Sequence, residues 1–277
     1  MINGNTEIIA HIGFPTHAFK SPMIYNPWFE KEGVNAVVVP MSCRSPDYPA
    51  LLRSLFKLTN IRGALITMPH KVSTIGLVDK LTPTAAIAGS CNAVKVDADG
   101  QLVGDMFDGE GFVRGIKRKG FEPRGNRVLV VGTGGVGCAI AASLAAAGVL
   151  EMMLFDMEDD SAKALAGRLI KHYPQMTVHT GSKDPAGYEL VVNATPLGMN
   201  EGDPLPMDVS RIAPTTFVGE VVMKKEMTDF LVAAKARGCA IQVGPDMLFE
   251  QIPAYLEFFG FGATTPEVLR SLAQLNY

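Results

Sequence analysis

The segment Val128-Leu-Val-Val-Gly132-Thr133-Gly134-Gly135-Val136-Gly137-Cys-Ala-Ile140 sets glycines at the first, third and sixth places of a loop running from an apolar strand into an Ala-rich helix. That spacing suits a diphosphate. Gly132 allows a tight turn, Gly134 lets backbone N–H groups approach the phosphates, and Gly137 lets the helix pack close on the strand. The helix N-terminus adds positive potential at the same point. An ordinary glycine turn in an α/β domain would share some of these residues, but the acid that follows favours the dinucleotide. Asp156 stands 19 residues after Gly137, at the end of a strand-like Met152–Phe155. A carboxylate there accepts hydrogen bonds from ribose hydroxyls and repels a 2′-phosphate. Glu158, Asp159 and Asp160 follow, with no Arg or Lys before Lys163. The expected cofactor is therefore NAD rather than NADP. Asp159 and Asp160 suit the first turn of the next helix; Asp156 is better placed for ribose.

Other clusters flank this loop. Ser21-Pro22 with Asn26, Thr67-Met-Pro69-His70-Lys71, Gly89-Ser-Cys-Asn92-Ala93 and Asp105-Met-Phe-Asp108-Gly-Glu-Gly111-Phe112 precede it. Asn193-Ala194-Thr195-Pro196-Leu-Gly-Met199 and Met247-Leu248 with Gln251 follow it. In order and spacing these resemble the shikimate/quinate dehydrogenase family, from residue 21 to residue 251. The resemblance implies an N-terminal α/β substrate-binding domain completed by the C-terminal helices, a Rossmann doubly wound dinucleotide-binding domain, and a substrate held in the cleft between them. It implies reversible hydride transfer between nicotinamide and a ring hydroxyl of shikimate, quinate or a related cyclic hydroxy acid, as in the shikimate pathway of aromatic amino acid biosynthesis. By motif, Lys71 matches the catalytic lysine and Asp108 its partner. Ser21, Thr67, Asn92 and Gln251 match substrate positions, with Phe19 beside them. Asn193, Ala194, Thr195, Pro196 and Met199 join Gly132, Thr133, Gly134, Gly135, Val136, Gly137 and Asp156 at the cofactor.

The chemistry agrees. Hydride transfer from a secondary alcohol requires removal of the hydroxyl proton, which a desolvated lysine can accept, and a nearby carboxylate can orient both lysine and hydroxyl. Taken alone, Lys71 reads as a solvated surface lysine and Asp108 as a helix N-cap; the motif context reverses the first and is compatible with the second. His70, beside a turn proline, reads as structural rather than as a rival base. His11, His17, His172 and His179 sit in no motif, and no pair has metal-ligand spacing, so no metal is expected.

The departures from the family fall together. Its Ser-x-Ser-Pro reads Phe19-Lys20-Ser21-Pro22, its Asn-x-Thr-x-Pro-x-Lys begins with Leu65, and a Tyr aligns with Met223. Asn-Thr-Asp reads Met106-Phe107-Asp108, and Gln-Gly-Ala reads Gln251-Ile-Pro253. In the family the lost Ser, Asn and Tyr lie toward the ring carboxylate. The residues kept serve the reacting hydroxyls, so the expectation is an intact hydride-transfer half with an eroded carboxylate clamp. Lys20 is a charge that could replace it. A non-catalytic ligand-binding or regulatory protein on the same scaffold is the alternative.

The elements that position these residues alternate. Glu7–His11, Ala36–Pro40 and Gly63–Met68 read as buried strands, with helical spacing at Leu51, Leu52, Leu55 and Phe56 between the last two. Asn92–Val96 and Leu102–Gly104 read as a hairpin about Asp99-Gly100. Then come helix Glu110–Lys119, strand Arg127–Val131, helix Val136–Ala147, strand Met152–Phe155 and helix Ser161–Lys171, with Leu165, Leu169 and Ile170 on one face. Strands Thr177–His179, Leu190–Asn193, Phe217–Val222 and Ala240–Val243, helix Met227–Arg237 and a helical segment Met247–Tyr277 complete the chain. The expected class is α/β, divided into 1–104 with 247–277 for substrate and 105–246 for NAD.

Composition allows this. The 277 residues are 47% hydrophobic and 19% charged, enough apolar content for two cores. A net charge of −3 leaves no electrostatic footprint for nucleic acid or an anionic membrane. The partner expected is a small-molecule substrate, with a homodimer as the candidate assembly. Cys43, Cys91, Cys138 and Cys239 form no CxxC, which points to reduced thiols in the cytoplasm. The start at Met1 has no basic then apolar run, so no signal peptide is expected. The uncharged Val128–Leu150 is long enough for a bilayer, but its glycines favour a strand, turn and helix.

Overall fold

A computed structural model describes residues 2–17 and 19–275. They divide into two compact units, Met1–Phe107 with Ile252–Tyr277, and Asp108–Gln251.

The first unit runs β1 (Glu7–Gly13), α1 (Ser21–Lys31), β2 (Ala36–Ser42), α2 (Tyr48–Leu55), β3 (Ile61–Ile66), a 3-10 turn (Ser73–Leu77), β4 (Lys80–Leu81), α3 (Pro83–Ala88), β5 (Ala93–Val96) and β6 (Leu102–Asp105). The sheet order is β2-β1-β3-β5-β6-β4. The first three strands are parallel, and the β5–β6 hairpin joins β3 antiparallel. Alternation along β1 decides what each residue faces. Ala10 and Ile12 enter a core with Tyr48, Leu52 and Leu55 of α2. His11 and Gly13 take the other face, with His11 in register with Leu65 of β3. At the edge strand β2, Asn26 of α1 donates its amide to the Val38 carbonyl (3.1 Å) and accepts from the Val38 N–H (2.7 Å). The edge backbone is thereby paired, so Asn26 serves the fold.

The second unit opens with α4 (Asp108–Arg118) and continues β7 (Arg127–Val131), α5 (Gly135–Ala146), β8 (Glu151–Phe155), α6 (Asp159–His172), β9 (Thr177–Thr180), β10 (Leu190–Asn193), a 3-10 turn (Val209–Arg211), β11 (Phe217–Glu220), α7 (Asp229–Ala236), β12 (Ile241–Gln242) and α8 (Gly244–Phe259). Its sheet, β12-β11-β10-β7-β8-β9, is parallel throughout. The order reverses between β7 and β10, which is where such sheets bind ligands, at the strands' carboxyl ends. The uncharged Val128–Leu150 is accounted for by β7, its turn and α5. Among the described residues no helix is long and apolar enough to cross a membrane.

The last expected helix divides into α8 and α9 (Pro266–Leu272), the latter capped by Thr265, whose hydroxyl accepts from the Val268 N–H. Met1, Asn276 and Tyr277, which the sequence reading covered, lie outside the described residues. The unit boundaries differ from 104 and 247. β6 and the two residues after it stay with the first sheet, and the second division falls inside α8. The N-terminal half of α8 is tied to α4, with Arg118 pairing Glu250 at 2.7 Å and Lys119 pairing Asp246 at 2.6 Å. Ile170 also departs from expectation. Leu165 and Leu169 of α6 are fully buried, while Ile170, off their stripe, is 46% exposed.

Candidate active site

In the first unit, the ends of β1 and β3 are stitched together. The Thr67 N–H donates to the Ile12 carbonyl (2.9 Å) and the Phe14 N–H to the Met68 carbonyl (3.0 Å). Gly13 has no room for a side chain: a Cβ there would meet Thr67 Cγ2 at 2.5 Å and both Phe19 Cζ and the Met68 carbonyl oxygen at 2.8 Å. Phe19, like Thr67, therefore packs over Gly13 at the end of β1. Its other contact is His11, whose ring it stacks on at 4.0 Å between centroids and 24° between planes. Lys71 follows on the same loop as Thr67, and its carbonyl accepts from the Cys91 N–H (2.9 Å). That bond sets Lys71 beside the segment leading to Asn92. Asn92 is buried; its Oδ1 accepts from the Phe107 N–H (2.9 Å), and its backbone pairs with Ile66 and Asp105. Phe19, Thr67, Lys71 and Asn92 thus lie on adjoining loops at one end of the sheet. Ser21, two residues past Phe19, opens α1.

His70 is internal. Its ring stacks on Tyr48 at 4.0 Å and 9°, and Nε2 lies 2.9 Å from the Cys43 carbonyl oxygen. His11 is the residue the sequence reading passed over. It is 7% exposed, and Nδ1 has no hydrogen-bond partner. Burial first, then the charge on Lys71, lowers its imidazole to about 4, so it is neutral near pH 7. No local pattern marks it, because its neighbours Phe19 and Leu65 are brought to it by the sheet and the β1–α1 loop.

In the second unit the glycine loop has the shape its spacing predicts. Gly132 takes φ +100°, and a Cβ there would meet the Ala194 backbone at 2.8 Å. A Cβ on Gly137 would collide with the Gly132 carbonyl oxygen. Gly134 and Gly135, by contrast, are exposed, with no heavy atom within 4 Å of where a Cβ would stand. A side chain at either would fill the space in front of the α5 N-terminus, where a diphosphate can take backbone N–H groups. Asp156 sits at the end of β8. Thr133 donates to its Oδ2 from both N–H (2.6 Å) and hydroxyl (3.0 Å), and the Glu158 N–H donates to Oδ1 (3.1 Å). Burial alone would raise this carboxyl; these donors outweigh it and hold it below the usual range. It stays half-buried with acceptor capacity on Oδ1, as a ribose contact requires. These residues fit a dinucleotide.

The loop after β10 faces the same turn. Ala194 backs Gly132 and Gly137. The Asn193 side chain works inside the loop: its Oδ1 accepts from the Thr195 N–H and hydroxyl, and its amide donates to the Leu197 carbonyl and Glu220 Oε2. Thr228 donates to the same Glu220 oxygen (2.9 Å). Glu220, fully buried, anchors this loop and was also missed by the sequence reading. Pro196 and Met199 are exposed at the loop's surface.

Asp108 is the buried first residue of α4. The glycines after it are there for close packing. A Cβ on Gly109 would strike the Ala139 carbonyl of α5, and one on Gly111 would lie 2.6 Å from the Met247 carbonyl oxygen and 2.8 Å from Gln251 Cβ. Gly111 lies one turn on from Asp108, so this packing draws Gln251 of α8 toward the Asp108 end of α4. Gln251 is buried with Oε1 unpartnered. Among the described residues no group of three His, Cys, Asp or Glu could hold a metal ion.

A doubly wound nucleotide-binding sheet in one chain with a second, mixed α/β unit is the build of a two-domain dehydrogenase. Residues 11–94 match the family described as the shikimate dehydrogenase substrate binding domain, and residues 123–166 match the ThiF family. A shikimate dehydrogenase (NADP(+)) of Rubrobacter xylanophilus is 35% identical over 257 residues, 90% of this chain and 89% of that protein. The crystal structure of shikimate 5-dehydrogenase from Listeria monocytogenes, in complex with shikimate and NAD, matches with a TM-score of 0.90 at 27% identity, over 98% of this chain and 97% of that one. Quinate dehydrogenase from Corynebacterium glutamicum in complex with NAD matches at 0.85 and 28%, over 96% and 98%. The chain belongs to the shikimate dehydrogenase family. It is an oxidoreductase of that type, with a nicotinamide cofactor and a small-molecule substrate.

Proposed function

We propose that the protein is an NAD-dependent dehydrogenase of a ring hydroxyl, acting on shikimate, quinate or a related cyclic hydroxy acid in the cytoplasm, with Lys71 and Asp108 as its catalytic pair. The observation that carries the reading is the gathering of Thr67, Lys71 and Asn92 on adjoining loops of one unit, the residues the family pattern assigns to the substrate. Lys71 takes the hydroxyl proton, Asp108 orients lysine and hydroxyl, and Thr67, Asn92 and Gln251 hold the ring hydroxyls. Bound NAD supplies the hydride acceptor. The α5 N-terminus at Gly134 and Gly135 binds its diphosphate, and Asp156 its adenosine ribose. The Rubrobacter relative is named for NADP(+), yet a carboxylate at Asp156 followed by three acids opposes a 2′-phosphate, and both solved relatives above are complexes with NAD. Four free, buried cysteines accord with a reducing compartment. No observation favours a purely ligand-binding role. NADH formation at 340 nm with a panel of cyclic hydroxy acids tests the proposal, and the absence of turnover on all of them would overturn it.

A further inference from the structure

Behind the loop that carries Lys71 lies a chain of three fully buried polar side chains, Tyr48, Thr74 and His70. Thr74 gives its hydroxyl hydrogen to the His70 carbonyl oxygen (2.8 Å). A hydroxyl has one hydrogen, so across the 2.7 Å between Tyr48 and Thr74 the phenol is the donor. Burial pushes the Tyr48 phenol up, which keeps it protonated. The His70 carbonyl also accepts from the Thr74 N–H (3.0 Å) and the Ser73 hydroxyl (3.0 Å). The imidazole is held separately, between the Tyr48 ring and the Cys43 carbonyl.

The His70 carbonyl belongs to the peptide plane that enters Lys71. The plane that leaves Lys71 carries the carbonyl that accepts from the Cys91 N–H (2.9 Å). A planar backbone leaves each residue two soft dihedrals, and holding the planes on both sides holds both. The root of the Lys71 side chain is therefore clamped, while its ammonium swings on a flexible four-carbon stem. Core packing alone does not account for the polar chain. Burying a phenol, a hydroxyl and an imidazole costs desolvation, and apolar side chains of like shape would fill the space under α2 at no greater cost. What the hydroxyls add is direction at one peptide, and that peptide is the one before Lys71.

We infer that Tyr48 is a positioning residue for hydride transfer: through Thr74 and the His70 carbonyl it sets the backbone from which Lys71 reaches the hydroxyl proton. This rests on the reading of Lys71 as the base. Proton transfer needs a narrow geometry, and a misplacement of about 1 Å can cost about 10²-fold. Loosening one of the two planes should cost less than that.

The test measures kcat per NAD-binding site, so that unfolded protein is not counted, on shikimate or quinate, whichever turns over faster. Tyr48→Phe keeps the ring against His70 and removes only the hydroxyl; Thr74→Val keeps the shape of Thr74 and removes its hydroxyl. Each should lower kcat by about tenfold and change the KM of the hydroxy acid by less than about threefold. Thr74→Ser, which keeps the hydroxyl, should recover most of the loss. In a Lys71→Ala background, Tyr48→Phe should lower the residual rate by less than about twofold, because the group it positions is gone. Unchanged kcat in Tyr48→Phe and Thr74→Val overturns the inference. So does a loss that falls on KM, or a Thr74→Ser as slow as Thr74→Val. An equal fall with and without Lys71 also overturns it, since the chain would then support the fold at large. If turnover depends on Lys71 while Tyr48→Phe and Thr74→Val are silent, only this inference fails. If Lys71→Ala turns over like wild type, or neither ring is oxidised, the dehydrogenase reading fails and this inference with it.

Discussion

Thr133 holds Asp156 with two hydrogen bonds to one carboxylate oxygen, from its N–H at 2.6 Å and its hydroxyl at 3.0 Å. The residue between the first two glycines of the loop thereby fixes the acid at the end of β8. It leaves Oδ1 to the Glu158 N–H and to whatever approaches from outside.

Cofactor preference follows from that arrangement. NAD should bind at least about tenfold more tightly than NADP, because a 2′-phosphate would meet the fixed Asp156 carboxylate. Asp156→Ser should weaken NAD and narrow the gap. Calorimetric titration of both cofactors measures it; tighter binding of NADP to wild type would contradict the assignment.

Two glycines of one loop should respond in opposite ways. Gly137→Ala drives a Cβ into the Gly132 carbonyl oxygen, backbone against backbone. It should destabilise the protein by about 2 kcal/mol or more, as overpacked sites do. Gly134→Ala meets nothing within 4 Å and sits at an extended φ of −68°. Urea denaturation should show nearly unchanged stability, while NAD affinity falls by about tenfold because the new methyl group occupies the phosphate space. Equal stability losses in both variants would count against the cradle.

His11 should leave a signature in acid. Its folded pKa of about 4 lies below the ordinary imidazole value of 6.5. The unfolded chain therefore binds the proton first, and stability is lost as pH falls from about 6.5 to about 4, levelling off below. The loss is at most about 3 kcal/mol. His11→Phe removes it, so the stability difference between variant and wild type should grow in the variant's favour across that window. A pH-independent difference would mean that His11 titrates normally.

The second unit is closely legible in the sequence because its signals are local. Strands Arg127–Val131 and Leu190–Asn193 were expected with the bounds observed, since continuous apolar runs ended by glycine or asparagine leave little choice. Helix α1 went unread because Pro22 and Pro27 obscure it; one sits in the first turn, where proline is tolerated, and the other inside, on a helix held by burying Ile24, Tyr25, Trp28 and Phe29. Ile170 was placed on the wrong face because it adjoins Leu169 and was read with it.

The site was legible where motifs are contiguous, as at Thr67–Lys71 and Asp108–Gly111. It is not legible where a side chain's state depends on stacking or burial. His11 acquires its neutral state from Phe19, Leu65 and Lys71, and Glu220 its role from Asn193 and Thr228. Those contacts exist only once strands and loops have been brought together.

The proposed function turns on Lys71-dependent hydride transfer to NAD. The most direct measurement is NADH formation at 340 nm by wild type and Lys71→Ala on the best cyclic substrate found, with NAD affinity determined alongside. The expected result is a fall in kcat of about 10²-fold or more, the usual scale for a positioned acid–base group, with NAD affinity nearly unchanged because Lys71 belongs to the first unit and the glycine loop to the second. Wild-type turnover in Lys71→Ala would contradict it.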